Sequence, residues 1–530
     1  MYRAVSVLVT VIVILVSGLG METSIAQHAD ATNPIIWADV PDPSVIRVGD
    51  TYYMSSTTMH MSPGLPIMKS RDLVNWRLVG YAYDKLEEND SLNLQNDRSA
   101  YGQGSWASSL RYHDGVFYVS TFSSTTGKTH IYTTRDIEHG PWAAKSFRPA
   151  LHDHSLFFEE DGRVYMVHGA GNVRLTELEP DLSGIKPGGT DQTIIPNASL
   201  AAGPNVGLPA EGSQLYKING KYYVFMITWP RGGMRTELVF RSDHLTGPYE
   251  GRIALQDQGV AQGSLIDTPK GDWYALLFQD HGAVGRTPFL VPVTWKDGWP
   301  ILGIDGMAPA RLNIGTSQRP VPEVVASDEF TRRPGQPALP IVWQWNHNPD
   351  NRLWSISERP GFLRIRTGRV DADFLSARNT LTQRTFGPQC SGAIAMDVSE
   401  MKSGDYAGLG LLQKKYGFVG VKAVDNSKQI VMVSADGAVP NEVEGVPLSQ
   451  KVVYLKAECD FRNRTDRAQF YYSLDGKIWT AIGKPLHMVY TLPHFMGYRF
   501  ALFNFATQSA GGAVDFDYFR VSADLTAATP

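Results

Sequence analysis

Cysteine is nearly absent from this chain: of 530 residues only Cys390 and Cys459 carry a thiol, and both fall late in the sequence. Two cysteines exclude a disulfide-built scaffold, so the fold must rest on an apolar core. The pair can form one disulfide or stay as two buried thiols in facing strands. Strong net charge is lacking too. A balance of −4 gives no electrostatic grip on nucleic acid or an anionic membrane. Beyond the first twenty or so residues, no stretch is apolar enough to cross a bilayer. Also missing are a Gly-x-Ser-x-Gly elbow, a phosphate loop, a dinucleotide fingerprint and a His-Glu-x-x-His helix, so the chemistries those motifs carry are set aside.

What is present points to a turn-rich β protein. Aromatics make up 11% of the chain and charged residues only 19%, alongside 50 glycines and 32 prolines, which does not suit a helical bundle. The length suits two domains, each with its own core. At the N-terminus Arg3, an apolar run from Ala4 to Leu19 and the small-residue site Ser24-Ile25-Ala26 have the anatomy of a secretory signal peptide over residues 1–26. Export to the periplasm or the outside is expected, with no other membrane partner; an uncleaved anchor is the competing reading.

The strongest signal is a repeat. Five segments share one plan: a small-residue or Pro-rich lead-in, a Ser, an apolar run, a Gly, and a Tyr three residues beyond it. The Gly/Tyr pairs are Gly49/Tyr52, Gly115/Tyr118, Gly162/Tyr165, Gly220/Tyr223 and Gly271/Tyr274. Their spacing, roughly 50 to 65 residues, is that of one four-stranded blade with a long loop. A five-bladed β-propeller over residues 32–315 is therefore expected. A Pro-rich linker over 316–326 follows, then a second domain over 327–522. Its many short strands, with a Ser473-Leu474-Asp475-Gly476 turn, predict a jelly-roll β-sandwich, and 523–530 reads as a disordered tail.

Measured from the Ser of each copy, the residue two places earlier is Asp42, Ala107, Asp153, Glu211 and Gln262 in turn. Equivalent positions at the start of the innermost strands gather around a propeller's axis, so three carboxylates should converge in one hollow. Clustered acids repel and raise one another's pKa values, an arrangement that stability alone does not favour. Glycoside hydrolysis uses such a set, one carboxyl protonated toward the leaving oxygen and one ionised. A carboxylate site for Ca²⁺, a purely structural hydrogen-bonding role, and a propeller that only binds sugar remain alternatives.

The motifs Val40-Pro41-Asp42-Pro43-Ser44, Trp106-Ala107-Ser108-Ser109-Leu110-Arg111-Tyr112, His152-Asp153-His154-Ser155 and Glu211-Gly212-Ser213-Gln214-Leu215-Tyr216 resemble glycoside hydrolase family 43. The second domain is similar to the concanavalin-like sandwich of its β-xylosidases. The resemblance implies an inverting mechanism with Asp42 as general base, Glu211 as general acid and Asp153 tuning Glu211 and orienting substrate. It implies a terminal-pentose substrate, xylo- or arabino-oligosaccharide, most directly as a β-1,4-xylosidase, with α-L-arabinofuranosidase as the rival. Trp106 and Gln262 are further pocket candidates, and Arg286 matches an arginine directed at substrate hydroxyls. Two departures stand out. His152 and His154 flank Asp153, read chiefly as rim residues without a catalytic part, with a shift of local pKa values or a contact to the sugar as the alternative. Ala261-Gln262-Gly263-Ser264 replaces a His-Gln-Gly-Gly motif whose His helps hold a channel ion, so no metal or other cofactor is expected, and a structural calcium borrowed from the family is in doubt.

Overall fold

A computed structural model describes residues 29–316, 319–437 and 439–526. The expected signal peptide lies outside the described residues, as do 527–530 of the expected tail. Five four-stranded antiparallel sheets, each in plain meander order, account for the first half of the chain. Their first strands are Ser44–Val48, Ser109–His113, Ser155–Phe158, Val206–Ile218 and Ala261–Asp267. These five strands touch in sequence and close into a ring, which makes the assembly a five-bladed propeller. A short pairing of Ala29–Thr32 with Arg311–Thr316 ties its two ends together.

The repeated Ser is what fastens the ring. Ser44 Oγ accepts from the Leu110 N–H at 2.9 Å, Ser109 Oγ from Leu156 at 3.1 Å, Ser155 Oγ from Leu215 at 2.9 Å, and Ser264 Oγ from Val45 at 3.1 Å. Each bond joins one innermost strand to the next across the axis, satisfying buried groups that sheet pairing leaves over. In the fourth blade Ser213 instead donates to the carbonyls of Asp153 and Val167, and the Tyr216 hydroxyl accepts from the Leu265 N–H. The cause is a register shift around Glu211 to Gln214, where the strand bulges.

The second half is a β-sandwich of an eight-stranded and a seven-stranded sheet. The edge strand of the larger sheet, Met61–Ser62, comes from the propeller's first blade and pairs with Trp345 and Asn346. One apolar cluster runs through the junction, with Val45, Met54 and Leu276 of the propeller joined to Phe386, Tyr498 and Phe500 of the sandwich. Backbone bonds cross it as well, Gly387 N–H to Trp37 and Tyr498 N–H to Ala283. The two units are therefore packed as one body.

Two details differ from the sequence reading. The Pro-rich connection ends in Val324 and Val325, both buried in that cluster, so it is a docked strap and no free tether. The tail expected to be disordered from 523 is held through Thr526: the Gln389 amide and Ser391 hydroxyl donate to the carbonyls of Ala523 and Asp524, and Thr526 N–H donates to Glu458. Cys390 and Cys459 face each other on neighbouring strands as buried free thiols.

Candidate active site

The lead-in to each innermost strand does more than carry an acid. Asp42, Asp153 and Gln262, at the same repeat position in blades one, three and five, all have left-handed backbones, with φ of 52°, 45° and 55°. Non-glycine residues held there cost of order 1–3 kcal/mol, and such strain persists where the surroundings enforce it. In the fourth blade the left-handed residue is Gly212, φ 69°, one place after Glu211. A Cβ on Gly212 would meet the Gln262 amide at 2.6 Å, so glycine there allows the fifth blade's side chain to lie against the bulge that aims Glu211.

The three acids share one cavity of about 660 Å³ at this end of the axis. Trp106, Gln262 and Arg286 line the same cavity, so all six residues singled out by sequence converge. Asp42 and Asp153 are each 6% exposed, while the Glu211 side chain keeps 22% of its surface. Below the acids, a void of about 10 Å³ bounded by Asp42, Asp153, Ser213 and Gln262 has room for about one water. His152, Asp153 and Glu211 do offer ligand atoms within 4.8 Å of one another. The half-buried Arg111 guanidinium donates to Ser155 Oγ at 2.6 Å and Gln214 Oε1 at 3.0 Å, linking three innermost strands.

The electrostatics separate the acids. Burial pushes the Asp42 carboxyl up and outweighs the pull of Arg286 and Arg235, so it stays above the usual carboxylate range. Arg286 Nη1 sits 2.7 Å from Asp42 Oδ1 with both side chains buried, a charge-assisted bond that favours the carboxylate. Asp280 braces both cations, lying 3.4 Å from Arg286 and hydrogen-bonded to Arg235. Asp153 has no such partner: burial first, then Glu211 and Asp42, raise it to about 7 against the pull of His152. His152 Nε2 lies 3.0 Å from Glu211 Oε2 and 3.9 Å from Asp153 Oδ2. Burial works against its charge, yet the bond to Glu211 and the field of Asp153 prevail and hold it up to about 9.

The expectation that both flanking histidines sit idle at the rim fails for His152 and fails differently for His154. His154 is buried below the rim, bonded to Leu151 O at 2.9 Å and Ser120 Oγ at 2.8 Å, and burial lowers it to about 4. The like-charge argument for Glu211 therefore omitted an imidazole that touches it. Sequence reasoning also missed Arg235, Trp229, Leu492 and Phe495. Trp229 ends the long second strand of blade four, Arg235 follows it, and neither occupies a repeat position. Leu492 and Phe495 come from a sandwich loop and form the far wall. The Phe495 ring meets Trp106 edge-on at 4.8 Å and lies under the Arg286 guanidinium at 4.7 Å.

A propeller with paired carboxylates in an axial pocket walled by aromatics defines a carbohydrate-cleaving enzyme. The profile described as glycosyl hydrolases family 43 matches residues 31–300, and that described as the β-xylosidase C-terminal concanavalin A-like domain matches 327–522. The chain belongs to glycosyl hydrolases family 43 and is a glycoside hydrolase. A β-xylosidase of Formosa agariphila is 30% identical over 551 residues, covering 93% of this chain and 90% of that one. A non-reducing end α-L-arabinofuranosidase of Bacteroides ovatus is 30% identical over 379 residues, covering 67% and 68%. Among solved structures, a bifunctional GH43-CE protein of Bacteroides eggerthii superposes with a TM-score of 0.93 at 62% identity. The match covers 94% of this chain but 64% of that one, so the chain spans less than two thirds of that protein.

Proposed function

We propose that the chain is an inverting exo-glycosidase that removes terminal pentoses from hemicellulose fragments, with β-1,4-linked xylose as its substrate. The observation that carries this reading is the pairing of Asp42 with Arg286. A carboxylate fixed by a guanidinium that never gives up its proton suits a general base, which must be ionised to take a proton from water. Glu211, the most exposed of the three acids, is placed to donate to the leaving oxygen. Beside it stand Asp153, raised to about 7, and His152, raised to about 9. Trp106 and Phe495 supply apolar faces for a sugar ring, and Arg286 offers its remaining donors to hydroxyls. The reading routes no step through a metal.

The exo mode rests on the second domain. Leu492 and Phe495 stand across from the acids, which favours a chain end over an internal bond. Export through residues 1–26 remains part of the proposal, since an extracellular or periplasmic polymer fragment is the substrate. Proton NMR of xylobiose hydrolysis tests substrate and stereochemistry together: the first-formed xylose should be the α-anomer. Retention of configuration would remove Asp42 from the base role. The α-L-arabinofuranosidase reading is supported by the similarity to the Bacteroides ovatus enzyme. Comparing nitrophenyl β-xyloside with nitrophenyl α-arabinofuranoside separates the two.

A further inference from the structure

Three residues before Asp42 stands another buried acid, Asp39, 5% exposed and set behind the catalytic cavity without lining it. Both of its side-chain oxygens serve backbone groups: Oδ1 accepts the Arg286 N–H at 2.8 Å and Oδ2 accepts the Gly497 N–H at 3.0 Å. The first donor belongs to the propeller's fifth blade, and the second to the loop that leads into the sandwich strand Arg499–Ala506. One carboxylate therefore spans the domain junction. An amide in its place would offer a single acceptor oxygen and could not serve both donors. The junction is also held by an apolar cluster and by strand pairing, neither of which needs an acid at this point.

The turn that precedes Arg286 is shaped for this contact. Gly282–Val284 form one 3₁₀ turn, Gly285 follows with φ of 103°, and Arg286 opens the strand Arg286–Lys296. A Cβ on Gly285 would collide with Asp39 Oδ1, and one on Gly497 with the Val284 carbonyl oxygen, so close approach requires glycine at both places. The sandwich grips the same turn twice more. Ala283 N–H donates to Asp466 Oδ2 at 3.1 Å, and Tyr498 N–H donates to the Ala283 carbonyl at 2.9 Å. From the propeller side, Val40 N–H donates to the Arg286 carbonyl at 2.8 Å. The backbone of Arg286 is thus fixed by both domains, and its guanidinium reaches Asp42 from that anchor.

We propose that Asp39 is a positioning residue for the general base: by joining Gly497 to Arg286 it sets the turn from which the guanidinium is held on Asp42. The proposal rests on the reading of Asp42 as that base. It makes the sandwich part of the catalytic machinery as well as a wall of the pocket, because the partner of the base is aimed by a bond whose other end lies in the second domain.

The acid limb of the kcat/KM profile on xylobiose, where the base takes up its proton, tests this in Asp39→Asn and Gly497→Ala of the full chain. The groups in the field of Asp42 are Arg286, Arg235, Glu211, Asp39 and Asp153, with Tyr490 and Asp280 beside Arg286. Arg286 is the strongest of those that favour the Asp42 carboxylate, whereas Asp39 opposes it more weakly than Glu211 does. Loosening the grip of Arg286 therefore moves the limb to higher pH, and removing only the charge of Asp39 moves it to lower pH. Asp39→Asn should shift the limb upward by ~1 pH unit and lower kcat/KM roughly tenfold. Gly497→Ala, which removes no charge, should shift it the same way. A limb that stays in place or moves down in Asp39→Asn overturns the proposal whatever the melting temperature does, and so does an unmoved limb in Gly497→Ala. If Asp39→Asn fails to fold, Gly497→Ala alone decides. Turnover with an intact acid limb in Asp42→Asn defeats the base reading instead, whereas an inactive Asp42→Asn beside an unmoved limb in Asp39→Asn defeats only the role of Asp39.

Discussion

The two walls of the catalytic pocket are built differently. On the propeller side, Asp42 and Asp153 come just before innermost strands and Glu211 and Gln262 from within them, and their positions follow from one repeated unit. On the sandwich side, Leu492 and Phe495 come from a single irregular loop with no counterpart elsewhere in the chain. The first wall is charged, strained in its backbone and held by cross-blade bonds from serines. The second is apolar, its loop tied by Thr491 to Gln413 and by Gly497 to Asp39. Chemistry is thus placed by symmetry, whereas the shape that selects a chain end is imported from another domain.

Removing the second wall altogether is the harshest break of that comparison. A chain ending before residue 327 would strip Trp37, Ala38 and Ala283 of their partners Gly387, Phe386 and Tyr498 and leave Met61–Ser62 without its partner strand. Such unpaired edges and bare patches drive aggregation. Size-exclusion chromatography should find no monodisperse propeller; a soluble, active truncation would show that the sandwich is dispensable. Next in size is the loss of an acid. Asp42→Asn and Glu211→Gln should each lower kcat by roughly 10²–10⁴-fold, the usual share of general acid–base catalysis, with melting temperature little changed for Glu211→Gln and lowered for Asp42→Asn, which takes the charge opposite buried Arg286. A variant of either that retains full turnover would displace that residue from its role.

Phe495→Ala probes the apolar wall without unfolding anything. It removes the edge contact to Trp106 and the ring beneath Arg286. Those two contacts bear on stability; a sugar ring packed on Phe495 would lose ~1.4 kcal/mol with it, so kcat/KM on xylobiose should fall about tenfold, chiefly through KM. A fall in kcat alone would mean that the ring positions Arg286 for the base, and that shape is secondary. Gly212→Ala should act from the propeller side by a similar amount. Its left-handed backbone and the Gln262 amide at 2.6 Å leave no room, so Glu211 must shift.

The propeller half was legible because symmetry writes the same local rule five times. The Gly of each hairpin, the Ser that fastens neighbouring strands and the residue two places before it fall at fixed offsets, so three acids could be placed together before any coordinates. The fourth blade shows the limit: a bulge moves the left-handed residue to Gly212 and re-aims Glu211, and nothing in the spacing announces it. His152 was undervalued because sequence adjacency to Asp153 says nothing about reach across the axis to Glu211. Leu492 and Phe495 were invisible because the contact joins residues separated by most of the chain. Such pairings depend on how two finished domains dock, and no local propensity encodes them.

The smallest effect tests the imidazole that the repeat did not foresee. As pH rises, Asp153 loses its proton near 7 and His152 near 9. His152 as a cation favours the ionised form of its neighbours, so His152→Gln should let Asp153 keep its proton to higher pH. The basic limb of the kcat/KM profile should then move upward, with the plateau changed less than tenfold. Stability gives an independent reading. Because the folded-state pKa of His152 is raised, its contribution is complete below the unfolded value of about 6.5 and disappears as pH passes about 9. The side chain is 44% exposed, so solvent screening keeps that contribution under ~1 kcal/mol. The melting-temperature gap between wild type and His152→Gln should be widest below pH 6 and close above pH 9. A gap that is constant with pH, together with an unmoved basic limb, would return His152 to the rim role first expected of it.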